Sequence, residues 1–127
     1  MERFLLICLA GAIGTGARYL VSTWAARALG TGFPYGTLIV NVTGCFLIAA
    51  IMHVALASTS IPTTLRLALT TGFLGGLTTY SSFNYETTKL YQDGAPALAF
   101  ANFAITVVAC IGAGLLGLAV ARQIVGG

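Results

Sequence analysis

Thr70-Thr71-Gly72-Phe73-Leu74-Gly75-Gly76-Leu77-Thr78-Thr79-Tyr80-Ser81-Ser82-Phe83-Asn84 is a polar, glycine-broken stretch inside a chain that is otherwise almost entirely apolar. Backbone at membrane depth departs from helix only where protein or a water-filled path satisfies its polar groups. The stretch is therefore expected to form an ion or substrate site, with the rest of the chain as its scaffold.

Outward from it, 57% of the 127 residues are apolar and only 7% are charged, with a mean hydropathy of +0.93. A soluble domain carries roughly 25% charged residues, so the composition is that of an integral membrane protein in contact with the lipid bilayer. No nucleic-acid partner is expected. At about 20 apolar residues per crossing, the chain supplies four helices and a single transmembrane domain over residues 1–127. The spans read as Arg3–Leu29, Tyr35–Ala57, Pro62–Tyr91 and Ala95–Gln123, with the third broken at mid-membrane. The joints Gly30–Pro34, Ser58–Pro62 and Gln92–Pro96 carry the Gly, Ser, Asp and Pro that end or begin helices. The apolar run from Phe4 continues past Arg18 without a small-residue cleavage site, so the first span is expected to be retained rather than removed as a leader. A barrel would need alternating segments of about ten residues, and these runs are continuous.

Arg3, Arg66 and Arg122 fall on one side of this topology and Arg27 and Lys89 on the other, with Arg18 inside the first span. Orientation follows the Lys/Arg bias of short loops, so three against two predicts weak orientation or insertion both ways. Four short helices do not readily enclose a pore alone, which points to a homodimer, antiparallel if insertion is dual.

Polar residues inside a membrane are costly and tend to mark pathways. Thr37, Asn41 and Gly44 share one face of the second span. Thr79, Ser82 and Glu86 form a stripe on the third, beside the aromatic pair Tyr80 and Phe83. Asn102, Thr106 and Cys110 repeat every four residues on the fourth. These stripes are rich in neutral donors, and the acids Glu2, Glu86 and Asp93 fall near expected helix ends. Amides, hydroxyls and the positive edges of aromatic rings suit a small, strongly hydrated anion. Arg18 could raise the potential of a vestibule, although a snorkelling or helix-end-pairing role is the simpler reading. Cys8, Cys45 and Cys110 lack metal-ligand spacing and read as small hydrophobes. Trp24 and several tyrosines fit interfacial anchoring. The chain has no nucleophile–base constellation, phosphate loop or haem signature, so no enzyme is expected.

Three blocks then resemble, in order, the signatures of the bacterial fluoride channels, the Fluc or CrcB family: Gly11–Tyr19, Gly36–Phe46 and Gly72–Phe83. The resemblance covers the whole chain. It implies a multi-pass protein of the bacterial inner membrane, an antiparallel dual-topology homodimer with two fluoride pores and a structural Na+ at its centre. In it Asn41 resembles the pore-facing asparagine, Tyr80 and Phe83 the aromatic positions meeting fluoride, and Asn102, Thr106 and Cys110 the polar track of the fourth helix. The main-chain carbonyls of Gly75 and Thr78 from both subunits would hold Na+, as carbonyls at broken helices can, and Arg18 matches the family's first-helix arginine. One departure is Tyr80, where the family pattern Thr-Thr-Phe-Ser-Thr-Phe has phenylalanine; Ser82 stands in place of the threonine of the Ser-Thr-Phe half and keeps the hydroxyl.

Two other readings fit the size. A proton-coupled exporter of the small multidrug resistance type would require a carboxylate within the first helix, where this chain has Arg18 and no acid after Glu2. A small accessory subunit would use its polar faces only to pack against a partner.

Overall fold

The computed structural model describes residues 1–126 as an all-helical chain, with no strand among them. Three helices are long and apolar enough to cross a membrane: α1 (Glu2–Leu29), α2 (Tyr35–Ala57) and α6 (Pro96–Val125). Their ends fall where the punctuating residues placed them. Gly30 takes φ +89° after α1, and Gly94 takes φ +82° between Gln92 and Pro96, a backbone region that only glycine enters without strain.

The segment between α2 and α6 is a composite. It runs as α3 (Thr63–Leu67), a wide π-helical stretch over Ala68–Leu74, a single turn α4 (Gly75–Leu77), two extended residues, and α5 (Tyr80–Gln92). The extended pair is Thr78 (φ −91°, ψ 156°) and Thr79 (φ −154°, ψ 119°). Threonine hydroxyls that return to a carbonyl four residues back compete with the helical ladder. Thr70 Oγ1 donates to the Arg66 carbonyl at 2.8 Å and Thr78 Oγ1 to the Leu74 carbonyl at 2.8 Å. One marks the start of the wide stretch and the other the end of α4.

This irregular segment lies against α1, and the fit depends on missing side chains. A Cβ on Gly76 would run into the Gly11 carbonyl, and one on Gly14 would meet the backbone of Phe73 and Leu77. Small residues let helix backbones approach this closely. Helix α2 packs along α6, with Gly117 against the Phe46 carbonyl. The apolar centre is Val40, Leu74 and Leu77, flanked by Ala17, Val21, Leu47, Ile51 and Phe73. Large side chains such as Leu9, Ile13 and Trp24 on α1 and Phe100, Val108 and Leu115 on α6 point outward, as expected where the surrounding medium is lipid rather than water.

Candidate functional site

The extended pair Thr78–Thr79 leaves backbone groups that a continuous helix would have paired, and buried groups of this kind need other partners. Asn41, buried on α2, supplies both for Thr79. Its Oδ1 accepts from the Thr79 N–H at 2.8 Å and its Nδ2 donates to the Thr79 carbonyl at 3.0 Å. Thr79 in turn caps α5, its Oγ1 accepting from the Ser82 N–H at 3.2 Å. Arg18 reaches from α1 to the other side of the break, donating from Nε to the Gly76 carbonyl at 3.1 Å. Of the two roles expected for Arg18, this is the helix-end pairing.

The same bonds bear on cation binding. In a continuous helix the Gly75 carbonyl would accept from Thr79 N–H and the Thr78 carbonyl from Ser82 N–H. Those donors are committed to Asn41 Oδ1 and Thr79 Oγ1 instead. Both carbonyls are released by the break, and Gly75 lies on the exposed side of the segment. Main-chain oxygens with no competing donor fit the hard, oxygen-seeking Na+.

Asn41, Thr79, Tyr80, Phe83, Thr106 and Cys110, expected to line an anion path, surround one open cavity of about 450 Å³, and Gly75 and Thr78 contribute to the same wall. Tyr80 and Phe83 form a tilted pair with ring centroids 5.8 Å apart and planes at 53°. Phe83 is 7% exposed and Tyr80 80% exposed, so the phenol stands at the open side. Gly44 faces the break from α2; a side chain there would collide with the Thr78 methyl group.

The remaining expected residues lie elsewhere. Thr37 lines a second cavity of about 350 Å³ under the Gly30–Pro34 loop, with Ser22, Tyr85, Glu86, Lys89 and Asp93. There its Oγ1 donates to Glu86 Oε2 at 3.0 Å. Glu86 is thus not simply a helix-end acid: it is half-buried two turns before the end of α5, in direct contact with the α2 stripe. Ser82 lines neither cavity. Asn102, 1% exposed, is enclosed between α5 and α6.

Asn102 belongs to a relay that includes Thr87, a residue not singled out in the sequence. Thr106 Oγ1 donates to Asn102 Oδ1 at 3.3 Å, Asn102 Nδ2 to Thr87 Oγ1 at 2.8 Å, and Thr87 Oγ1 to the Phe83 carbonyl at 2.7 Å. The polar track of α6 is tied by this chain to the turn of α5 that carries Phe83. Its only advance signal is that Thr87 lies one turn after Phe83. Cys45 and Cys110, read as separate small hydrophobes, are also brought together: both line the larger cavity, where α2 packs along α6.

The model of the family described as CrcB-like protein, Camphor Resistance (CrcB), matches residues 5–118. A protein of Anaeromyxobacter sp. (strain K) is 52% identical over 126 residues, 99% of this chain and 100% of that protein, and is named fluoride-specific ion channel FluC. Proteins with the same name from Sorangium cellulosum (strain So ce56) and Geobacter sp. (strain M21) are 52% identical over 127 residues and 48% over 124; each is covered over its full length, by 100% and 98% of this chain respectively. A multi-pass membrane protein matched this fully by model and by relatives belongs to the CrcB-like protein family.

Proposed function

We propose that this protein is a fluoride-selective channel through which F− leaves a bacterial cell passively, protecting it against fluoride. The observation that carries the reading is the cavity at the helix break, where neutral donors and a pair of aromatic edges converge, in a chain whose end-to-end relatives are named fluoride-specific channels. Fluoride entering as neutral HF is trapped as the ion in a more alkaline cytoplasm, so an open path suffices for export. No observation favours the proton-coupled exporter, since Glu2 in the first turn is the only acid of α1.

In this mechanism the ion exchanges part of its water for protein donors. Asn41 uses one amide N–H and its oxygen to hold the break, which leaves its second N–H for the anion. The Thr79 and Thr106 hydroxyls and the edges of Tyr80 and Phe83 complete the lining. Larger halides hold their water less tightly and would make poorer use of closely set donors. Conduction needs binding that admits the ion yet releases it, and weak ring-edge contacts meet both demands. Cys110 completes the wall of this cavity, Asn102 supports it through Thr106 and Thr87, Thr37 and Ser82 contribute beyond it on the same helices, and Arg18 acts by pairing the break rather than by lining a vestibule.

The functional unit in this reading is an antiparallel, dual-topology homodimer with two pores. The composite from Thr63 to Gln92 makes the remaining crossing, broken near the middle of the bilayer. The near tie in loop charge supports dual insertion. Two copies of the Gly75 and Thr78 carbonyls would hold a structural Na+ across the twofold axis, neutralising oxygens that lipid could not satisfy. The decisive experiment loads liposomes containing purified protein with fluoride and adds valinomycin and potassium. Rapid fluoride release with chloride retained is expected. Failure to release fluoride, or equal release of chloride, refutes the reading.

A further inference from the structure

Cys45 on α2 and Cys110 on α6 are both free and half-buried, and both line the wall of the larger cavity where the two helices pack together. Packing of the backbones fixes this arrangement. A Cβ on Gly114, one turn beyond Cys110, would stand 3.9 Å from the Cys45 carbonyl, and Gly117 in the next turn abuts Phe46. The two helices are thus held at one separation on one side of the thiol pair. Cys8 stands apart on an exposed face of α1.

Soft cations prefer sulfur ligands, and two thiols from facing helices offer a linear, two-coordinate site. We propose that Cys45 and Cys110 form a binding site for a soft divalent cation of the mercuric type, set in the wall of the anion path. Two S–H bonds break, two Hg–S bonds form, and two protons leave to water through the open cavity. No electron transfer is involved. The product, a bis-thiolate of a divalent ion, carries no net charge, and this suits a low-dielectric wall where an uncompensated charge is strongly disfavoured. A monovalent soft ion held by two thiolates would leave one negative charge there. The bound ion would stand beside Thr106 and Phe83, which line the same cavity, and so obstruct fluoride. That blocking role rests on the channel reading; the metal site itself does not.

The test uses full-length Cys8→Ala protein, reduced and purified, titrated with Hg2+. Two thiols per chain should react with a maleimide before titration and none after one equivalent of Hg2+. Stripping the metal with a monothiol should need at least about tenfold more competitor than in Cys8→Ala/Cys45→Ala or Cys8→Ala/Cys110→Ser, because the second thiol acts at high effective concentration. Equal competitor demand in all three proteins, or one thiol left reactive, overturns the site. Where a variant fails to elute at the size of the parent, Cys45→Ser is used in place of Cys45→Ala. In liposomes, one equivalent of Hg2+ should slow fluoride efflux at least about tenfold in Cys8→Ala and leave Cys8→Ala/Cys45→Ala/Cys110→Ser, which has no thiol, at its own metal-free rate. Bound mercury with undiminished efflux overturns the blocking role. Absence of efflux before mercury is added counts against the channel reading, while the thiol titration still decides the metal site.

Discussion

Replacing Asn41 by alanine removes both hydrogen bonds that hold Thr79, the 2.8 Å bond accepted by Oδ1 and the 3.0 Å bond donated by Nδ2. Each such bond contributes a net of about 1 kcal/mol, and the main-chain N–H and carbonyl left behind lie partly buried with no replacement. The expected loss is about 2 kcal/mol, roughly a 30-fold fall in the folding equilibrium constant. Flux should fall as well, because Tyr80 and Phe83 begin one residue after the clamp and take their position from it. The assay is paired: reversible unfolding in mixed micelles and fluoride efflux at equal protein density. If Asn41 acted only as a ligand for the passing ion, its removal would slow efflux and leave stability unchanged. That result would refute the clamp.

Tyr80→Phe should raise fluoride efflux by up to about fivefold, the rate equivalent of one net hydrogen bond, since it removes a phenol O–H from the open side of the cavity; slower or unchanged efflux would refute a hindering hydroxyl. Gly76→Ala should destabilise the fold by about 1–3 kcal/mol through overpacking against the Gly11 carbonyl, read as a lower unfolding midpoint. Thr87→Val, which cuts the relay between Asn102 and the Phe83 carbonyl, should cost at least about 1 kcal/mol by leaving the Asn102 amide without its acceptor; stability equal to the parent would show the relay to be incidental. Exchange of Na+ for a bulky organic cation should lower the thermal midpoint of the assembled protein, by the mass-action effect of losing a ligand specific to the folded state. A midpoint independent of Na+ would argue against the carbonyl site.

Local chemistry carries the parts of this structure that were readable in advance. Joints announced by Gly30, Pro34, Pro62, Gly94 and Pro96 lie where the helices end, because glycine and proline act on the backbone of their own neighbourhood. Polar residues in apolar helices identified Asn41, Asn102 and Thr106 for the same reason, their burial being costly wherever they go. Partner choice was less accessible. Asn41 reads from the sequence as a free donor, yet most of its amide serves Thr79, and this depends on where the composite segment abandons helix. Glu86 reads as an acid near a helix end until the packing of α5 on α2 brings it to Thr37. Cys45 and Cys110 are far apart in the chain, so only the close approach of α2 and α6 makes them a pair.

The wide turn Ala68–Leu74 has a consequence for tolerance to insertions and deletions. A π-helical stretch accommodates a surplus of chain within a helix, so it acts as a phase-setting element between Arg66 and the aromatic pair. One residue more or fewer that the wide turn did not take up would rotate everything downstream by about 100° and translate it by about 1.5 Å. Phe83 would turn out of the protein, and Thr79 would no longer face Asn41. Substitutions that preserve the count can be absorbed one contact at a time. A change of length shifts every downstream contact at once, so a codon gained or lost between this stretch and Phe83 should be tolerated far less well than a substitution there.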